Sequence, residues 1–114
     1  MAQSPSAIRR PIQRYVKALT ENGVRVEQVL LYGSHAKNNS HEDSDIDVII
    51  VSEDFANKNL LERLQVLGWA RRNVPEPVQA YGFTPAEIHN RAVSAFWEEI
   101  LDTEAISITA EILS

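Results

Sequence analysis

The sequence predicts a mixed α/β (α+β) fold, a small mixed β-sheet with helices packed against it, as one domain over residues 1–114. Three observations carry this expectation. Short β-branched and aliphatic runs alternate with longer segments whose apolar residues recur every three or four positions. The 114 residues, 44% of them hydrophobic, suffice for one core and are too few for two. No internal repeat, low-complexity tract or linker divides the chain, so the elements share one small sheet.

Residues 7–20 read as a helix, with Ile8, Ile12, Tyr15, Val16 and Leu19 on one face and Ser6 as its cap. Pro11 sits early in that pattern and favours a later start. Gly23 suits the left-handed position that ends a helix. Residues 24–32 form a first strand, and the polar stretch 33–44 is loop. Ile-Asp-Val-Ile-Ile-Val-Ser at 46–52 is a second strand. A helix over 57–73 presents Leu60, Leu61, Leu64, Leu67 and Ala70, and residues 78–83 make a third strand. Thr84-Pro85-Ala86-Glu87 then sets a helix start, with a Thr cap, Pro at the first helical position and Glu closing a capping box. That helix runs to about Leu101 and buries Ile88, Ala92, Ala95, Phe96 and Ile100, and residues 105–108 make a short edge strand. Trp69 and Trp97, beside their helices' apolar stripes, either widen the core, the favoured reading, or form an exposed patch for a partner.

Composition removes several function classes. Without cysteine there is no disulfide, thiolate metal site or cysteine nucleophile. No apolar run approaches the roughly 20 residues of a membrane span, and the first residues lack a signal-peptide stretch, so a cytoplasmic protein without membrane contact is expected. The formal net charge of -5 demotes nucleic acid as a partner without excluding it, since that role usually needs a basic face.

The chemistry concentrates between the first two strands. A strand ending in Leu31-Tyr32 runs straight into Gly33-Ser34, where a glycine lets a ligand approach the backbone and amides with a hydroxyl can donate to phosphate oxygens. Asp45 and Asp47 are two apart at the start of the next strand, so their carboxylates share a face. Held about 5 Å apart, they repel by roughly 3 kcal/mol at an effective dielectric of 20, an arrangement that a hard divalent cation such as Mg²⁺ relieves. Each half alone is commonplace, a turn or a solvated acidic run; together, at this spacing, they specify a metal and phosphate site. His35, His41 and His89 have no metal-ligand spacing and read as solvated. Ser34 lacks the Gly-x-Ser-x-Gly elbow of a hydrolase nucleophile.

Gly33-Ser34-His35-Ala36-Lys37, seven intervening residues, then Asp45-Ile46-Asp47-Val48 resembles the signature of the DNA polymerase β-type nucleotidyltransferase superfamily, and more narrowly the minimal nucleotidyltransferases. The resemblance extends over nearly the whole chain through the element order that follows. It implies a two-ion Mg²⁺ site on Asp45 and Asp47, the triphosphate of an NTP, ATP above all, held by Gly33 and Ser34, and transfer of a nucleoside monophosphate to an acceptor hydroxyl. Lys37 stands where the family favours a basic residue, and Asn38 where it commonly has glycine. The family's third carboxylate falls at Gln79, counted back from Thr84, which leaves the second ion short of a ligand and the acceptor without a base. Two classes therefore stay open: an enzyme, or a weakened nucleotide-binding, antitoxin-type module acting on a small helical HEPN-domain partner. A domain this small has no room for a separate acceptor-binding domain, so that surface is expected from a second protein or a second copy.

Overall fold

The computed structural model describes residues 6–33, 35–36 and 45–113. In chain order the elements are α1 (Ser6–Glu21), β1 (Gln28–Tyr32), β2 (Ile46–Val51), α2 (Leu60–Ala70), β3 (Val78–Phe83), α3 (Pro85–His89), α4 (Ala95–Thr103), β4 (Ile106–Ser107) and α5 (Thr109–Leu113). The four strands form one sheet in the order β3-β2-β1-β4. β1 runs antiparallel to β2 and β4, while β2 and β3 are parallel and joined across α2, so the sheet is mixed as expected.

β2 sits inside the sheet with helices over both faces, which is why Val48 to Val51 is a continuous apolar run with no exposed surface. Alternation divides the core in two. Val29, Leu31, Val48, Ile50, Val78 and Ala80 face α1, α2 and α5. Leu30, Tyr32, Ile49 and Val51 face the opposite way, toward Ile100 and Trp97 of α4. Ile12, Tyr15 and Leu19 of α1 are fully buried, each worth about 1.5–3 kcal/mol of apolar burial. The Tyr15 hydroxyl donates to the Leu67 carbonyl at 2.7 Å and ties α1 to α2. Burial, partly offset by the charge of Arg71, pushes that phenol well above its ordinary range.

Several elements differ from expectation for identifiable reasons. α1 begins at Ser6 and carries Pro11 inside it, because the buried stripe outweighs one missing backbone bond. Residues 24–27 precede the ladder, leaving β1 to start at Gln28. α2 starts only at Leu60, where Asn59 and Glu62 form a capping box that the sequence reading overlooked; residues 71–73 continue as a 3-10 turn. Only Leu67 and Ala70 of its stripe are buried, and Leu60 and Leu61 are 70% and 64% exposed. Trp69 is likewise about half exposed, whereas Trp97 packs against the second core cluster.

The helix expected from Thr84 to Leu101 is two helices. The Thr84 capping box forms, but the backbone turns at Arg91, φ 53°, and Ser94 caps a new helix. The break re-aims α4, so Ile100 and Trp97 meet the sheet while Phe96, Ala92 and Ala95 face solvent. β4 is the short edge strand anticipated near 105–108. α5 was not anticipated; its first residue, Thr109, accepts a bond from Val29 N–H at 3.1 Å. Among the described residues no helix is long and apolar enough to cross a membrane.

Candidate nucleotide and metal site

Asp47 lies in the middle of a row across the sheet. Its register partners are Tyr32 on β1 and Gln79 on β3, and paired residues share a face, so the three side chains stand side by side. Ile46 N–H donates to the Pro77 carbonyl at 2.8 Å, which fixes the entry into β2 one residue after Asp45. Asp45 itself is exposed, and Asp47 is half-buried.

Gly33 closes the row. It adopts φ 78°, a left-handed conformation natural to glycine, at the turn that follows β1. A Cβ there would stand 2.3 Å from Asp47 Oδ2, so the missing side chain is what admits the carboxylate. Gly33 N–H donates to Glu104 Oε2 at 2.8 Å, bringing in a carboxylate from the end of α4.

The electrostatics follow from this crowding. Burial raises the Asp47 carboxyl above its ordinary range, the charges of Asp45 and Glu104 raise it further, and the neighbouring His35 draws it down. Burial also pushes the Tyr32 phenol up, with Asp47, Tyr81 and Glu104 adding to the effect, so Tyr32 stays neutral beside the site. Both His35 ring nitrogens are buried and lack a hydrogen-bond partner among the described residues, unlike the solvated loop histidine expected there. Buried polar atoms of this kind ordinarily have partners.

Of the residues singled out in the sequence, Gly33, Asp45, Asp47 and Gln79 come together here. Ser34, Lys37, Asn38 and His41 lie outside the described residues. His89, at the end of α3, is far from the chemistry in sequence and exposed. Glu104 was missed, since nothing in a lone glutamate 71 positions from Gly33 announces the contact. Tyr32 carried a usable signal: it is the last strand residue before the glycine and has the parity to face Asp47.

Among the described residues no group of three or more His, Asp or Glu side chains is arranged to hold a metal. Asp45 and Asp47 place two carboxylates in a locally negative setting; hard oxygens of this kind are the donors a divalent ion takes when phosphate and water complete its shell. The chain belongs to the nucleotidyltransferase domain family, whose model matches residues 12–111.

Solved structures show the same fold. A Sulfolobus solfataricus protein described as a nucleotidyltransferase superposes with a TM-score of 0.63 at 17% identity, covering 90% of this chain and 79% of its own. A toxin–antitoxin crystallised with AMP-PNP gives 0.57 at 18% identity, over 87% of this chain and 70% of the other. A variant of the MntA–HpeT toxin–antitoxin, with two aspartates two positions apart replaced by glutamate, gives 0.53 at 16%, over 81% and 67%. No curated protein matches the chain.

Proposed function

We propose that this chain binds a nucleoside triphosphate, ATP above all, with Mg²⁺ at Gly33, Ser34, Asp45 and Asp47, and transfers its nucleoside monophosphate to an acceptor hydroxyl. The observation that carries this reading is the contact between Gly33 and Asp47, in which the carboxylate occupies the space a Cβ would fill. A phosphate held at the Gly33 turn and a cation held by Asp45 and Asp47 would be neighbours. Bound there, Mg²⁺ supplies charge neutralisation on the attacking and leaving oxygens and a more acidic acceptor hydroxyl. The protein's own part is positional. The sheet register fixes the Asp47 carboxylate, and the Gly33 turn, with no side chain, lets that carboxylate lie against the backbone.

A second reading has its own support. Gln79, the position at which the family resemblance puts a third carboxylate, carries an amide, and it is the direct register partner of Asp47. An amide oxygen can ligate a cation but neither neutralises it nor takes a proton from an acceptor. This favours slow transfer, and a module whose work is binding, as an antitoxin-type partner of a helical HEPN-type protein. The toxin–antitoxin complexes among the similar folds fit that role.

One experiment separates the two readings: pyrophosphate release and label transfer from α-labelled ATP with Mg²⁺, for wild type, Asp47→Asn and Gln79→Asp. Wild type should be slow, Asp47→Asn silent, and Gln79→Asp faster by ten- to a hundredfold, each tenfold being about 1.4 kcal/mol of barrier. Brisk wild-type turnover unaffected by Gln79→Asp would remove the amide from the account. Turnover unaffected by Asp47→Asn would remove the site.

A further inference from the structure

The geometry points to Glu104 as a positioning residue of the nucleotide site, one that acts through the Gly33 backbone rather than by touching nucleotide or metal. The inference rests on the site reading above and adds a residue from the far end of the chain.

Gly33 is the joint of the site. Its backbone must hold φ near 78° for Asp47 to lie against its Cα, yet glycine is the residue least inclined to hold any one conformation. β1 ends at Tyr32, and the antiparallel β1–β4 ladder is registered only at Leu30 with Ser107 and Leu31 with Ile106. Continuing that register would set Gly33 opposite position 104, but the strand has ended there and Glu104 is the cap of α4. Its side chain supplies the acceptor that the ladder no longer provides, at 2.8 Å. The cap is itself fixed, because Glu104 N–H donates to the Ile100 carbonyl, and Ile100 is buried against the sheet. A rigid path therefore runs from the core through α4 to the glycine whose conformation admits Asp47. At 2.8 Å the bond is at ordinary N–H···O length, so an acceptor withdrawn by one methylene no longer reaches.

The two features of this side chain, reach and charge, can be varied separately. Glu104→Gln keeps an oxygen at the same distance and removes the charge. Glu104→Asp keeps the charge and withdraws the oxygen by one methylene. Glu104→Ala removes both. Affinity for a Mg²⁺ complex of an ATP analogue blocked at the α,β bridge, measured by calorimetry, and hydrogen exchange of the Gly33 amide without ligand give two readouts. The expected result is near wild-type behaviour in Glu104→Gln. Glu104→Asp and Glu104→Ala should each lose about tenfold in affinity and in Gly33 protection. The reverse order, with Glu104→Asp like wild type and Glu104→Gln impaired, would overturn positioning in favour of a purely electrostatic role. Unchanged affinity and exchange in all three variants would also overturn it. If wild type and Asp47→Asn bind the analogue alike, the site reading fails instead, and Gly33 exchange still decides whether Glu104 holds the turn. Should Glu104→Ala not fold, the Gln and Asp pair carries the same decision.

Discussion

At the scale of single residues, the site sets function against stability. Asp47 is held where burial and the charges of Asp45 and Glu104 disfavour its ionised form. A carboxyl whose folded value is raised binds its proton more readily in the native state than in the unfolded one. Without metal, stability should therefore rise as pH falls through that raised value toward the ordinary carboxylate range, and decline as pH climbs back to neutral. Asp47→Asn should be more stable than wild type at neutral pH in chelator and should flatten this part of the pH profile, read from urea midpoints. A wild type stabilised by rising pH over that window, with the mutant less stable, would contradict the placement of Asp47. Gly33→Ala tests the other side of the same contact. Its Cβ would meet the carboxylate at 2.3 Å, and φ 78° costs a non-glycine residue about 1–2 kcal/mol. Loss of a few kcal/mol in denaturant midpoint, together with loss of metal–nucleotide binding, is the expected outcome. The face on which Asp47 stands and the turn at Gly33 were legible beforehand because strand parity and a strand-ending glycine are local signals, whereas Gln79 was singled out only through the family resemblance. The Glu104 contact and the burial of His35 were not, since both depend on which distant segments meet.

At the scale of elements, the α3–α4 region shows where local signals win and where they fail. Thr84, Pro85 and Glu87 predicted a helix start, and the reciprocal bonds form: Glu87 N–H to Thr84 Oγ1 at 3.1 Å, and Thr84 N–H to Glu87 Oε1 at 2.8 Å. Glu87 also receives the Arg63 guanidinium at 2.8 Å, a link from α2 that no local pattern reveals. Burial pushes the Glu87 carboxyl up, but the bonds from Arg63 and Thr84 and the Arg63 charge outweigh it and leave the group below its ordinary range. A lowered carboxylate contributes stability above its unfolded value and loses it as pH falls through the folded one. Glu87→Gln should therefore cost about 1–2 kcal/mol at neutral pH, and the gap from wild type should close in acid. Thr84→Ala should cost about 1 kcal/mol with little pH dependence. A constant gap for Glu87→Gln across that range would remove the ion pair from the explanation. The end of the helix was misread because apolar periodicity continued through residues 92–96 while the backbone turned at Arg91. The stripe of α2 was overread in the same way: a run of leucines at helical spacing marks a helix but does not say how much of it the sheet covers.

At the scale of the whole molecule, four strands and five α-helices among the described residues bring Gly33, Asp47, Gln79 and Glu104 to one end of the sheet. The mixed α/β class and the strand order along the chain were readable from periodicity and length. The β3-β2-β1-β4 arrangement and the two-sided core were not, because pairing is chosen by tertiary packing rather than by any one segment. What the fold accomplishes is to hold the Asp47 carboxylate against the glycine at the end of a neighbouring strand. The claim that this is a metal–nucleotide site is tested most directly by titrating Mg²⁺ with the α,β-blocked ATP analogue and following Tm in wild type, Asp45→Asn and Asp47→Asn. At a hundredfold excess over Kd, binding adds about 2.7 kcal/mol of stability, a rise of several degrees for a domain of this size. Wild type should show that rise only with metal and nucleotide together, and each mutant should lose most of it. An unchanged Tm in wild type at millimolar ligand, or an equal rise in all three proteins, would contradict it.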